Sequence, residues 1–145
     1  MIHFQGVETF PAPPDVVTAK LSDAGFLAVN LPDATATETT PDRAAWKVRP
    51  KLAFLSGDLD TLAVVTERSP EHVKYRLETK GVGSGSTVEA ELKFAPSEDG
   101  QGTTVTWAGD VTAMTGLLKL APKGLVQATA QKVIADCWAA LKAKV

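Results

Sequence analysis

The segment spanning residues 116–145 constrains this chain most. Its apolar residues recur at Val126, Ala130, Val133, Ile134, Cys137, Trp138, Leu141 and Val145. That is the i, i+4, i+7, i+8 spacing of a helix with one buried stripe. A helix of roughly 22 residues is about 33 Å long, enough to cross a whole small sheet. Almost everything before it reads as antiparallel strands. A helix and a sheet that each carry one apolar face bury those faces against each other. The spacing therefore predicts an α+β domain in which a curved sheet wraps around one long C-terminal helix. Imperfect closure between the two layers would leave a natural ligand cavity.

The preceding pattern supports this. Residues 2–10 alternate as a strand, with Ile2, Phe4, Gly6 and Phe10 on one face and His3, Gln5 and Thr9 on the other. Pro11, Pro13 and Pro14 end it, and Pro14-Asp15 suits the start of a short helix that runs to Leu21. A second short helix is expected over residues 23–30, with Ser22 as its cap. Strands follow at residues 34–40 (polar, hence an edge), 46–49, 59–67, 72–78, 88–94 and 103–112. The run Leu62-Ala63-Val64-Val65 reads as buried on both sides, and residues 81–86 read as a flexible hairpin. Pro122 marks where the main helical run begins. Consecutive antiparallel strands tend to be neighbours, so six to seven strands in a meander are expected.

Composition limits what such a domain can do. A chain of 145 residues is one domain of ordinary size, and it buries enough surface to hold a core without staples. The net charge is −2 with both signs mixed along the chain, which argues against a nucleic-acid surface. Cys137 is the only cysteine, which excludes an intramolecular disulfide and fits a reducing compartment. The opening residues enter a strand pattern directly, without a secretory leader. No apolar run approaches the roughly 18 residues of a membrane span. The expected location is the cytoplasm.

Few residues carry recognisable chemistry. The glycine-rich stretch from Gly81 to Ser86 lacks G-x-G-x-x-G spacing and leads into a strand, so it reads as a hairpin and not a phosphate loop. His3 and His72 are the only histidines, lie on polar strand faces, and have no ligands at metal-binding spacing. Neither has a local motif that would place it in a Ser-His-Asp triad. Cys137 falls on the apolar helix stripe, where cysteine acts as a small hydrophobe. Arg76, Glu78, Glu89 and Glu91 point outward, and no acid pair is expected on the inner face. No catalytic residue, metal or cofactor is assigned.

The inner face is the informative one. Trp46, Val48, Phe54, Leu62, Val64, Tyr75, Leu77, Val88, Ala90, Leu92, Val105 and Trp107 are expected to face the helix. They either fill a solid core or line a cavity. Small residues on the facing helix (Ala121, Ala128, Ala130, Cys137) favour a cavity, to which Leu117, Leu120 and Val126 would contribute. Tyr75 would bring one hydroxyl into it. The stretch from Gly116 to Leu125 mixes leucines with Lys119 and Lys123. It reads either as a segment packed on the sheet rim or as a mobile gate or membrane-touching lip. Two lysines make a weak polybasic signal, so the packed reading is preferred. A gate to the cavity would combine this segment with the turn at Gly57 and the 81–86 hairpin.

The order of elements resembles the START/Bet v 1-like, or SRPBCC, superfamily with its helix-grip fold. Within it, the chain resembles the CoxG-like proteins, the group linked to carbon monoxide dehydrogenase. The resemblance is carried by Phe4-Gln5-Gly6 with Ala12-Pro13; by Leu21-Ser22-Asp23 running to Leu31-Pro32; by Gly102-Thr103-Thr104-Val105-Thr106-Trp107; and by Thr115-Gly116-Leu117-Leu118. It implies a hydrophobic cavity for a lipid or other apolar small molecule, in a non-catalytic carrier or sensor. It also implies a role as an accessory factor for a molybdenum-containing dehydrogenase; a polyketide cyclase or aromatase, in which Tyr75 would orient the substrate, is the alternative enzyme reading, and the accessory role is the third. The last would make transient contact with a membrane surface or a redox enzyme.

Overall fold

The computed structural model of the chain describes residues 2–48, 58–81 and 83–145, without the side chains of residues 117 and 118. Phe54 and the Gly57 turn lie outside the described residues. Strand β1 (Ile2–Phe10) is followed by helices α1 (Pro14–Leu21) and α2 (Ala24–Asn30). The meander comes next: β2 (Ala34–Thr39), β3 (Arg43–Val48), β4 (Leu59–Ser69), β5 (His72–Gly81), β6 (Ser84–Pro96) and β7 (Thr103–Gly116). A single turn, α3 (Leu117–Leu120), leads to the long helix α4 (Lys123–Lys142), which begins after Pro122. The fold is the expected α+β class.

All seven strands form one antiparallel sheet in the order β1-β7-β6-β5-β4-β3-β2. Register shifts between Ala36 and Glu38, Val65 and Glu67, and Thr87 and Val88 bend it. The pair α1–α2 carries the chain from one sheet edge to the other, and α2 packs on β2 and β3. The backbone of α4 comes closest to β1 on one side and to α2 on the other, so the helix bridges the middle strands.

Two local expectations are corrected. The cap of α2 is Asp23, whose carboxylate accepts the Phe26 N–H at 3.3 Å. Ser22 closes α1 in a helical conformation, whereas Asp23 has the extended backbone that a capping residue needs. The hairpin expected over residues 81–86 is also shorter, because β5 runs to Gly81 and β6 starts at Ser84. Gly116 adopts φ 63°, and a β-carbon there would fall 1.8 Å from the Gly83 carbonyl oxygen. Only glycine lets β7 turn into α3 against that hairpin.

The core has two parts. The larger joins Phe10, Val17, Leu21, Ala24, Ala28, Ala44, Trp46, Ala63, Val73, Tyr75, Phe94, Val105 and Leu141. The smaller joins Ile2 and Phe4 of β1 to Val126 near the start of α4. No helix among the described residues is long and apolar enough to cross a membrane.

Candidate functional site

Directly paired residues in an antiparallel ladder share a face, so the register identifies the side chains under α4. Trp46 pairs with Thr61, Ala63 with Leu77, and Val65 with Tyr75. Tyr75 and Leu77 pair with Ala90 and Val88, and Leu92 pairs with Trp107. This register corrects the expectation for β4. Leu62 lies opposite Ala45 and Glu78, and Val64 opposite Arg43 and Arg76, so both belong to the outer, charged face. The apolar run at 62–65 hid the alternation, and the buried members are Thr61 and Ala63.

Burial across the helix-facing side is uneven. Trp46, Tyr75 and Val105 are buried, as is Val126 of α4. Val48, Leu77, Val88, Ala90, Leu92 and Trp107 are only half-buried, and so are Ala130, Ile134, Cys137 and Trp138 on the helix. Full burial of a large aliphatic side chain is worth roughly 1.5–3 kcal/mol, so part of that stabilisation is left unrealised along this groove. Two helix positions depart from expectation. Ala128 is exposed, and Val133 at the margin of the stripe is 45% exposed. Leu120 is a third correction. It is 81% exposed, because α3 is a single turn ended by Pro122 and the stripe of α4 does not extend back to it.

One end of the groove is closed by aromatic rings. Trp138 meets Phe10 edge-on at 6.2 Å between centroids and Trp107 at 6.0 Å. The Trp107 indole lies across Gly6, where a β-carbon would sit 2.7 Å from the ring. Its Nε1–H donates to Glu8 at 3.4 Å, and the same carboxylate forms an ion pair with Lys142 at 2.8 Å. Glu8 is therefore a carboxylate on the helix-facing side, absent from the residues expected there. Strict alternation from Ile2 through Phe4 and Gly6 to Phe10 passes through Glu8 and is the signal that marks it.

The chemistry of the other candidates is occupied. The Tyr75 hydroxyl donates to the Leu21 carbonyl at 2.6 Å, and burial holds its pKa far above the usual phenol range. Burial, reinforced by Asp136, pushes the Cys137 thiol up to about 11, so it is not a thiolate at neutral pH. His72 joins a serine–imidazole–carboxylate chain, with Nδ1 2.6 Å from Ser69 Oγ and Nε2 2.8 Å from Glu67. Hydrogen bonding to His72, then to Lys74, lowers the Glu67 pKa. The Ser69 oxygen, however, also accepts the N–H groups of Glu71 and His72 at 3.2 and 3.1 Å. Its lone pairs are spent on the β4–β5 turn, which makes it a hairpin staple and not a nucleophile.

Two open concavities lie elsewhere on the surface. One, of about 480 Å³, is flanked by Ser22, Pro41 and Arg68. The Arg68 guanidinium is already spent there, donating to Asp42 at 2.6 Å, to the Ser22 carbonyl at 2.8 Å and to the Pro41 carbonyl at 2.9 Å. The other, of about 300 Å³, is a dish on the outer face beside Gln5, Glu91 and Lys93. Both are open to solvent, whereas a small-molecule site encloses most of its ligand.

The whole chain, residues 1–145, matches the family model for polyketide cyclase/dehydrase and lipid transport proteins. It belongs to that family. Solved structures share the fold at low sequence identity. A conserved protein from Geobacillus kaustophilus is 17% identical, with a TM-score of 0.85 over 99% of this chain and 94% of that one. A START superfamily protein from Mycobacterium smegmatis is 14% identical, with a TM-score of 0.73 over 99% and 96%. A protein from Thermus thermophilus is 18% identical, with a TM-score of 0.68 over 97% and 94%. No curated protein matches in sequence. At these identities the likeness establishes the START-like helix-grip architecture.

Proposed function

We propose that this polyketide cyclase/lipid transport family member binds an apolar small molecule or lipid between its sheet and α4, as a non-catalytic carrier or sensor. The observation that carries the reading is the band of half-buried apolar side chains, Leu77, Val88, Ala90 and Leu92, facing a helix stripe that is itself half-buried. Side chains are buried at the two ends, around Val105 with Leu141 and around Ile2 with Val126, and half-buried along α4 between them, at Ala130, Ile134, Cys137 and Trp138. A ligand with apolar surface supplies the missing contacts. The family description covers both lipid transport and cyclisation. Binding without turnover is favoured because Tyr75 spends its hydroxyl on Leu21 and Glu8 is engaged by Lys142 and Trp107.

The test is uptake of a fluorescent fatty acid by the purified chain, together with native mass spectrometry for co-purified apolar molecules. Ala90→Trp would fill the middle of the groove, and it is expected to abolish uptake while the circular dichroism spectrum stays unchanged. A wild-type chain that takes up no probe and carries no guest overturns the reading.

A further inference from the structure

The α3–α4 unit differs from the rest of the molecule in both charge and exposure. Residues 117–145 contain five lysines and one acid, Asp136, whereas residues 1–116 contain ten basic and sixteen acidic residues. The chain as a whole is at −2, so this near-neutral average conceals a charge dipole with its positive pole on the C-terminal helices. Exposed apolar side chains sit at that same pole. Leu120 is 81% exposed between Lys119 and Lys123, and Leu125 is 44% exposed one turn into α4. Leu125 and Lys132 stand at i and i+7, on a flank of α4 turned away from the groove stripe, with Asp136 one turn beyond Lys132 on the same flank. Of the lysines in this unit, Glu8 pairs with Lys142, near the far end of the helix.

From this we infer that the α3–α4 face docks on an anionic lipid bilayer, with Leu120 and Leu125 entering the headgroup boundary and Lys119, Lys123 and Lys132 meeting lipid phosphates. Apolar side chains interleaved with lysines are the chemistry of an interfacial element, and each lysine close to a negatively charged leaflet adds attraction. The acidic remainder of the molecule is repelled by the same surface, which fixes the orientation. The acids at the nearby end of the sheet do not cancel the positive pole. Asp60 is paired with Lys47 at 4.0 Å, and Asp58 immediately precedes β4, which is separated from β7 by β5 and β6. Docking does not depend on what the groove holds.

The experiment is flotation of the full chain with vesicles of phosphatidylcholine alone and of phosphatidylcholine doped with phosphatidylglycerol. The expected result is binding to the doped vesicles only, weakening as salt is added. Lys119→Glu with Lys123→Glu should cut that binding by roughly fivefold or more per lysine, and Leu120→Asp should cut it at unchanged charge on the lysines. All three positions are exposed, so the variants keep the fold and, measured without vesicles, keep fatty-acid uptake. Equal binding to both vesicle types, or none to either, overturns the inference. So does a chain that is dimeric by light scattering and made monomeric by Leu120→Asp, since a second copy would then cover this face.

Discussion

The Glu8 carboxylate lies 2.8 Å from Lys142 Nζ, an ion pair that ties the first strand to the last turn of α4. The same carboxylate accepts the Trp107 indole N–H. One side chain thus holds the helix, the strand and the aromatic plug in register. Glu8→Gln should cost about 1 kcal/mol in urea unfolding, more than a fully exposed pair, because Glu8 is only 21% exposed. A double-mutant cycle with Lys142→Ala isolates the pair, and a coupling energy near zero would show that the two groups act independently.

Gly6 exists to make room for Trp107. Gly6→Ala places a methyl within 2.7 Å of the indole ring. Either the ring moves or the strand does, at a cost of about 1–3 kcal/mol. The loss of stability should be accompanied by altered tryptophan fluorescence, because the Trp107–Trp138 contact at 6.0 Å is disturbed with it. A Gly6→Ala variant with wild-type stability and emission would contradict this geometry.

Tyr75→Phe leaves the Leu21 carbonyl without its buried donor. The expected loss is about 1–3 kcal/mol by thermal or denaturant unfolding. Tyr75 is the only tyrosine, so its ionisation can be followed by ultraviolet absorbance. Burial raises its pKa above the ordinary value of 10.0. Its contribution to stability is therefore complete below that value and is lost as pH rises above it. Tyrosinate absorbance should appear only when the protein unfolds in alkali. A smooth titration near pH 10 in the folded state would show that the hydroxyl is accessible.

His3 Nδ1 lies 2.5 Å from the Asp110 carboxylate, across the β1–β7 ladder. The Asp110 hydrogen bond, followed by that to Gln5, raises the histidine pKa above its ordinary value of 6.5. Protonated His3 thus favours the folded state below that value, and the benefit fades as pH rises through the folded pKa. In Asp110→Asn the imidazole resonances should titrate at lower pH than in wild type. Unchanged titration would place the cause elsewhere.

The order of elements is legible in the sequence because each depends on local pattern: alternation in β5 and β6, proline and aspartate at the start of α1, the stripe of α4. Register is not. The face presented by β4 depends on pairing with β3 and β5, and four consecutive apolar residues carry no alternation from which to read it, so Leu62 and Val64 look inward from sequence and face outward in the sheet. Leu120 misleads for a related reason. Its composition suits a stripe, but Pro122 separates it from the helix that would have buried it. Glu8 is easily passed over because a charged residue inside an apolar alternation looks like an exception, whereas here Lys142 and Trp107, both distant in sequence, make its burial tolerable. Pairings across such distances leave no mark on the neighbouring residues.

The sheet is completed by joining its first strand to its last: Phe10 pairs with Thr103 and Ile2 with Val111. Ladders between such distant segments must meet the entropy of closing a long loop before any contact rewards it. On the ribosome, β1 therefore waits unpaired, its apolar side open to chaperones, until β7 has emerged. Helix α4 follows β7 in the chain, so it can cover the sheet only after the strand that completes the ladder has been made.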